Sequence, residues 1–391
     1  MTEMLLKFFE MNEVFGDRVI SKFPSTGGVG GGHIIIAGGG TGGHIFPAIA
    51  IANALKKKDA AIEILFVGAE GKMEMEKIPQ AGYKIEGIDI AGFNRSSLIK
   101  NIGLPFKLVK SFFQVRSILK RFGPDAVIGV GGYSSFPVLR FAQAKGIPTF
   151  IHESNSFAGK SNKMLGKKAT RIFVATDGME KFFPADKIQI TGNPVRASIA
   201  RSTVTKSEGI KFFSLAENRK TVLVVGGSLG ARSINEAVDK GLEDLLNAGL
   251  QLIWQTGKSF KPRAFEKNEQ QSVSMNEFIT QMEYAYAAAD MVVARSGAMT
   301  VSELCVVKKP VLFVPYPYAA EDHQMVNAMK LVDKNAAMMV KDNEAINKIV
   351  PMIIKLAKDE RKQDELKKNI GQLAIIDADM RIADEIIKAI S

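Results

Sequence analysis

Three glycine-rich runs gather the residues best able to handle a phosphate. Gly38-Gly39-Gly40-Thr41-Gly42-Gly43-His44 opens a helical run from Ile45 to Leu55, with Pro47 tolerated in its first turn. Gly129-Val130-Gly131-Gly132-Tyr133-Ser134-Ser135 and Gly226-Gly227-Ser228-Leu229-Gly230-Ala231 are the other two. Glycine permits positive φ and close backbone approach, and a following helix N-terminus offers unpaired N–H groups to an anion. One such loop serves equally well to turn a strand tightly into a helix, whereas three, each after an apolar run, point to a phosphate-bearing ligand.

Rival chemistries fit less well. Gly38, Gly40 and Gly43 satisfy G-x-G-x-x-G, which makes a dinucleotide oxidoreductase a rival. The acid expected about 20 residues on to hold a ribose is matched only by Glu70, 27 residues past Gly43. A Walker loop fails because Ser154 and Leu252 stand where Gly159-Lys160-Ser161 and Gly257-Lys258-Ser259 would need glycine. One cysteine, Cys305, and four histidines form no Cys/His spacing typical of zinc. The only D-x-D, Asp377-Ala378-Asp379, reads as a solvated face of the last helix.

The elements that must hold these loops alternate between β-branched runs and helical patterns, the mark of βαβ units. Strands are expected at 33–38, 62–68, 84–90, 125–131, 148–153, 171–176 and 188–192, then at 221–227, 250–257, 290–297, 310–317 and 336–341. The charged stretch between the two series lacks a clear period and reads as an interdomain linker. The expected organisation is a Gly-rich extension over 1–32, an N-terminal domain over 33–195, a linker over 196–220, a C-terminal domain over 221–370 and a final helix over 371–391. The fold class is α/β, with two Rossmann-like doubly wound parallel-sheet domains facing across a cleft.

With 391 residues, 46% of them hydrophobic, the chain has ample core for two domains, and it contains no apolar run near the roughly 18 residues of a spanning helix. Glu3, Glu10, Glu13 and Asp17 interrupt any export signal, so a cytosolic protein is expected. A net charge of +11 points to an anionic partner: nucleotide, nucleic acid or acidic lipid.

Six motifs occur in one order: the first glycine loop with His44, Gly131-Gly132-Tyr133-Ser134, His152-Glu153-Ser154-Asn155, Gly192-Asn193-Pro194-Val195-Arg196, the third glycine loop, and Arg295-Ser296-Gly297-Ala298-Met299-Thr300-Val301-Ser302-Glu303. Together they resemble the MurG family of bacterial N-acetylglucosaminyltransferases from His33 almost to the C-terminus, leaving only the first 32 residues outside the likeness. The resemblance implies a GT-B fold and inverting transfer from UDP-N-acetylglucosamine to lipid I, giving lipid II for peptidoglycan synthesis. It implies a peripheral enzyme on the cytoplasmic face of the inner membrane, with other cell-wall synthesis proteins as candidate partners and no nucleic acid. Another GT-B-shaped UDP-sugar enzyme, such as a 2-epimerase, and a noncatalytic nucleotide-sugar binder are the alternatives.

Site roles follow from the same resemblance. Donor contacts fall on Thr41, Gly42, Gly43, Asn155, Arg196, Ser228, Ile279, Ala298, Met299, Thr300, Val301, Ser302, Glu303, Gln324 and Asn327. Glu303 would accept both ribose hydroxyls, the Ile279 backbone would read uracil, and the amides of Gln324 and Asn327 would meet sugar hydroxyls. Gly131, Gly132 and Tyr133 fall on the acceptor side. An inverting transfer needs a base, for which His44 at a positive helix N-terminus is the first candidate and Glu153 the alternative. GT-B enzymes generally assist the leaving group with helix dipoles and side chains, so no metal or other cofactor is expected. Residues 98–122 combine Lys100, Lys107, Lys110, Arg116, Lys120 and Arg121 with apolar Leu98, Ile99, Ile102, Leu104 and Phe106, which suits an anionic membrane surface. Val109, Phe112, Leu119 and Phe122 are expected to form the inward face of that helix.

Overall fold

The computed structural model describes residues 31–90, 104–263, 271–319 and 322–390. Residues 1–30 of the extension expected over 1–32 and the apolar stretch at 98–102 lie outside the described residues, as do the side chains of residues 104–108.

Two all-parallel sheets account for the strands. The first runs β3-β2-β1-β4-β5-β6-β7 and is built from β1 (His33–Ala37), β2 (Glu63–Ala69), β3 (Lys84–Ile88), β4 (Ala126–Gly129), β5 (Thr149–Glu153), β6 (Arg171–Val174) and β7 (Ile188–Ile190). The second runs β10-β9-β8-β11-β12-β13, from β8 (Lys220–Val225), β9 (Leu250–Gln255), β10 (Val273–Asn276), β11 (Met291–Ala294), β12 (Val311–Phe313) and β13 (Met338–Met339). The central strands are buried on both faces, which is why Ile34-Ile35-Ile36 and Val222-Leu223-Val224-Val225 are continuous rather than alternating apolar runs.

The covering helices in the first half are α1 (Gly42–Lys58), α2 (Glu74–Gln80), α3 (Leu104–Phe122), α4 (Ser135–Ala144) and α5 (Lys160–Gly166). After β7 come α6 (Ala197–Ala200), α7 (Lys206–Phe212), α8 (Arg232–Lys240), α9 (Leu242–Asn247), α10 (Met282–Ala288), α11 (Ala298–Val307), α12 (His323–Val332), α13 (Ala345–Lys358), α14 (Glu360–Gly371) and α15 (Ala378–Ile390). The last of these crosses back to the first domain. Its Ile382, Ala383 and Ile386 share a core with Ile34, Ile36 and Ile51, and Asp384 pairs with Lys58 at 2.6 Å.

Four differences from the sequence reading have physical causes. The strand β10 was not expected, because Val-Ser-Met-Asn has a single β-branched residue; it pairs only at the sheet edge. Residues 196–220 are not a bare linker: Thr205 and Glu208 form a capping box that starts α7, and Ile199, Ile210 and Phe213 enter the C-terminal core. Asp379 is not solvated; its side chain is only 15% exposed and lies 3.8 Å from Arg201, while Asp377 pairs with Arg381. The helix α3 buries Ser111, Val115, Ile118 and Leu119; of its expected inward face Leu119 is buried and Phe122 packs on the core, but Val109 is 43% exposed, while Phe113, an aromatic outside that face, is 67% exposed.

Close packing of α7 on α10 rests on Gly209. A Cβ there would stand 2.6 Å from the Tyr284 carbonyl oxygen and 2.8 Å from the Ala288 nitrogen, both backbone atoms that cannot rotate away. Gly209→Ala should therefore cost about 1–3 kcal/mol of stability by overpacking, read as a lowered midpoint in urea denaturation. An unchanged midpoint would show that the two helices separate freely.

Candidate active site

Both sheets reverse strand order beside their first strand, at β1/β4 and at β8/β11, and ligands of open α/β sheets bind at such switch points. The glycine loops lie at these two places. In the first domain the loops after β1 and β4 interlock: Gly39 N–H donates to the Gly131 carbonyl at 3.1 Å, and a Cβ on Gly132 (φ +90°) would meet Gly39 O at 2.4 Å. The Ser135 hydroxyl, at the start of α4, is 2.8 Å from the Ala37 carbonyl and 2.9 Å from the Gly131 carbonyl.

Glu74, which the sequence reading passed over, fastens this arrangement from α2. Its buried carboxylate accepts from Gly40 N at 2.7 Å and from Ala69 N at 3.0 Å. Nothing in the local sequence signals that role, since its glycine partner lies 34 residues away.

His44 stands in the first turn of α1, with Nδ1 2.9 Å from the Gly39 carbonyl. A carbonyl only accepts, so Nδ1 carries a hydrogen, and in the neutral ring Nε2 is then the nitrogen with the lone pair. The ring lies flat against the acceptor-side loop, where a Cβ on Gly131 would be 2.7 Å from Nε2. Tyr133 is 55% exposed and Thr41 is exposed at the helix cap, with Gly42 and Gly43 following in the first turn.

Glu153 has a different surrounding from that of a base. Oε1 accepts from the Asn155 backbone and side chain, and Oε2 accepts from Gly159 N and Asn162 Nδ2, so its lone pairs are spent organising the 153–162 loop. The Asn155 side chain is drawn into that same network.

Across the seam, α11 begins at Ala298, and Met299, Thr300 and Val301 complete its half-buried first turn. Ser302 accepts from Asn193 Nδ2 at 3.0 Å, a bond between the segment after β7 and α11. Glu303 is buried, with Oε1 3.2 Å from Arg196 Nη2 and Oε2 accepting from Tyr286 OH at 2.9 Å. Burial and this carboxylate push the Tyr286 hydroxyl pKa well above its usual value, fixing it as a donor. Arg196 in turn stacks on the Phe46 ring of α1, 4.6 Å from its centroid. One ion pair thus connects the helix of His44 to the helix of Glu303.

The remaining expected donor residues divide. Ser228 is exposed in the loop before α8, open to a ligand. Ile279 is buried, with its N–H given to Gln255 Oε1. Gln324 Oε1 accepts from Tyr316 N, leaving the amide's donor end. Asn327 does not offer a free amide: Oδ1 accepts from Ser156 N in the first domain and Nδ2 donates to the Ser296 carbonyl, so it braces the seam. The described residues hold no group of three or more His, Cys, Asp or Glu able to bind a metal ion, and Cys305 is buried with its thiol pKa pushed up to about 12 by that burial.

Two doubly wound domains, with a histidine-bearing loop on one and a phosphate-type loop and buried carboxylate on the other, form the class of two-domain α/β proteins that place a phosphate-bearing ligand at their switch points. Residues 34–174 match the glycosyltransferase family 28 N-terminal domain and residues 221–382 its C-terminal domain. The UDP-N-acetylglucosamine–N-acetylmuramyl-(pentapeptide) pyrophosphoryl-undecaprenol N-acetylglucosamine transferase of Parabacteroides distasonis is 49% identical over 360 residues, covering 91% of this chain and 98% of that protein. Its counterpart in Bacteroides thetaiotaomicron is 50% identical over 360 residues, covering 91% and 97%. The crystal structure of Acinetobacter baumannii MurG aligns with a TM-score of 0.71 at 29% identity, over 91% of this chain and 99% of that one. The chain belongs to the MurG family of N-acetylglucosamine transferases.

His152 gives this site a pH signature. Burial, reinforced by His44 nearby, lowers its pKa from 6.5 to about 4; Asn193 and the Gly192 backbone offset only part of this, and neither ring nitrogen has a well-formed hydrogen bond. The native protein keeps His152 neutral where the unfolded chain takes up a proton, so its contribution is full above pH 6.5 and is lost as pH falls toward 4. The loss should approach about 3 kcal/mol across that window. His152→Gln should flatten the slope of unfolding free energy against pH in urea titrations, and an unaltered slope would remove His152 as its source.

Proposed function

We propose that the protein transfers N-acetylglucosamine from UDP-N-acetylglucosamine to the 4-hydroxyl of the N-acetylmuramoyl group of lipid I, with inversion, giving lipid II. The observation that carries this reading is the orientation of His44, whose Nδ1–H is committed to Gly39 while Nε2 is left basic beside Gly131. Nε2 takes the acceptor hydroxyl proton as that oxygen bonds to the anomeric carbon. The bond from the anomeric carbon to the β-phosphate oxygen breaks, and its electron pair leaves with UDP. The glycine loop at Ser228, the N-termini of α8 and α11, and Arg196 meet the developing diphosphate charge, with no metal required.

Family membership at about half identity supports this donor and acceptor over an epimerase. Incubation with labelled UDP-N-acetylglucosamine and a short-chain lipid I analogue should yield the disaccharide product; absence of turnover with intact donor binding would favour a binding protein. In the same assay His44→Ala should lower kcat by about 10²–10⁴-fold with little change in donor KM. A raised KM at unchanged kcat would make His44 a binding residue. Chelators should leave the rate intact, and loss restored by magnesium would contradict the metal-free step.

The reading extends to peripheral docking on the cytoplasmic face of the inner membrane through α3. No helix of the described residues is long and apolar enough to cross a membrane. Lys110 and Arg121 pair with Asp89 and Glu86. Arg116 and Lys120 remain exposed at helical spacing from Val109 and Phe113, forming an outward face both apolar and basic. Reversing Arg116 and Lys120 to glutamate should weaken binding to anionic vesicles by at least about 1 kcal/mol per charge, as added salt should. Phe113→Ser should reduce the part that survives salt. Unchanged cosedimentation of the folded variants would place the membrane surface elsewhere.

A further inference from the structure

Where α1, α2, α6 and α15 meet lies a cleft of about 440 Å³, outside all three glycine loops. That volume is within the roughly 300–1,000 Å³ of small-molecule sites. Its walls carry Lys57, Lys77, Arg196 and Arg201 against a single acid, Asp379. Asp379 holds Arg201 only loosely, at 3.8 Å, and Lys57 is exposed with no ion pair among the described residues. Phe46, Ile49 and Met380 supply an apolar side. Four cations from three separate elements converge on one partly apolar hollow; Lys77 also pairs with Glu76 and Arg196 with Glu303, each at 3.2 Å, so Lys57 and the loosely held Arg201 are the charges left to a ligand.

We propose that this cleft is a second ligand site, taking a small phosphorylated molecule with an apolar flank. Guanidinium forks match phosphate oxygens, lysines add point charge, and Phe46 and Met380 cover the uncharged part of the ligand. The ligand would touch the first domain through Lys57 and Lys77 and the segment joining the domains through Arg201. It would also reach Arg196, whose Nη2 holds Glu303 on the donor side. An anion drawing on that guanidinium competes with Glu303 for it, so occupancy of the cleft changes donor affinity. Only this coupling rests on the transfer reading; the site itself does not.

The test uses inorganic pyrophosphate as the probe on full-length protein saturated with UDP, which blocks the donor site. Calorimetry should show saturable pyrophosphate binding to the parent and about tenfold or greater weakening in Lys57→Ala/Arg201→Ala, with UDP binding retained. In the parent alone, pyrophosphate should also shift the dissociation constant of UDP. Amine-reactive labelling of the parent gives a readout independent of the variant's folding: pyrophosphate should protect Lys57 and Lys77. Absence of saturable binding, binding that survives the double variant, or unprotected lysines would each overturn the proposal. Transfer activity is assayed separately, so an inactive parent would count against the transferase reading and leave this site standing.

Discussion

Everything at the candidate catalytic end depends on how closely two backbones approach between β1 and β4. The Gly39 N–H and the Gly131 carbonyl meet there, and Gly132 lies so near Gly39 that a methyl group would overlap its carbonyl oxygen. Side chains at these points would push the loops apart. The ring of His44 would then lose both the carbonyl that fixes its tautomer and the flat surface against which it lies. Glu74 secures the contact from outside by taking the Gly40 N–H, so a buried carboxylate with no access to substrate helps aim the imidazole. Hydrogen bonds from backbone to a charged, buried acceptor are among the stronger ones available, which suits a loop that must keep its shape without side chains of its own.

The seam between the domains is held by a few polar contacts rather than by a shared core. Asn193–Ser302, Asn327–Ser156, Arg196–Glu303 and Lys330–Thr176 span it. Among the described residues, the buried side-chain atoms left without partners are on Ser134, His152, Asn193 and Arg196, all at the ends of first-sheet strands or on this seam. Polar interfaces of this kind permit relative domain motion, and unspent hydrogen-bonding capacity is concentrated where such motion would act.

Much of the architecture was legible because it rests on local pattern. Continuous β-branched runs marked the buried parallel strands, and glycines at their ends marked the switch points before any sheet order was known. The edge strand at Val273 was hidden by its polar composition, and α7 by a period too short to stand out from its charged surroundings. Side-chain commitments were the least legible part. The sequence motif offers Glu153 as the alternative base and Asn327 as a donor contact, but Glu153 spends its lone pairs on its own loop and Asn327 is taken by Ser156 and Ser296, which only folding brings near. Tyr286 reads as one more core aromatic in Met282-Glu283-Tyr284-Ala285-Tyr286, and nothing before folding joins it to Glu303. The reading of α3 held at Leu119 and Phe122 and missed at Val109, since several faces of that helix carry apolar residues and only contact with the sheet decides among them.

The return of α15 to the first domain bears on how the chain is made. Ile382, Ala383 and Ile386 sit in the same core as Ile34, Ile36 and Ile51, so β1 and α1 wait for a helix synthesised after the whole second sheet. Until then the exposed side of α1 and its neighbours is an apolar surface without its cover, while the second domain, whose sheet lies wholly within 220–339, already has all its strands. The order of completion is the reverse of the order of synthesis. A nascent chain stalled near residue 375 would present that uncovered face to chaperones for as long as the stall lasts.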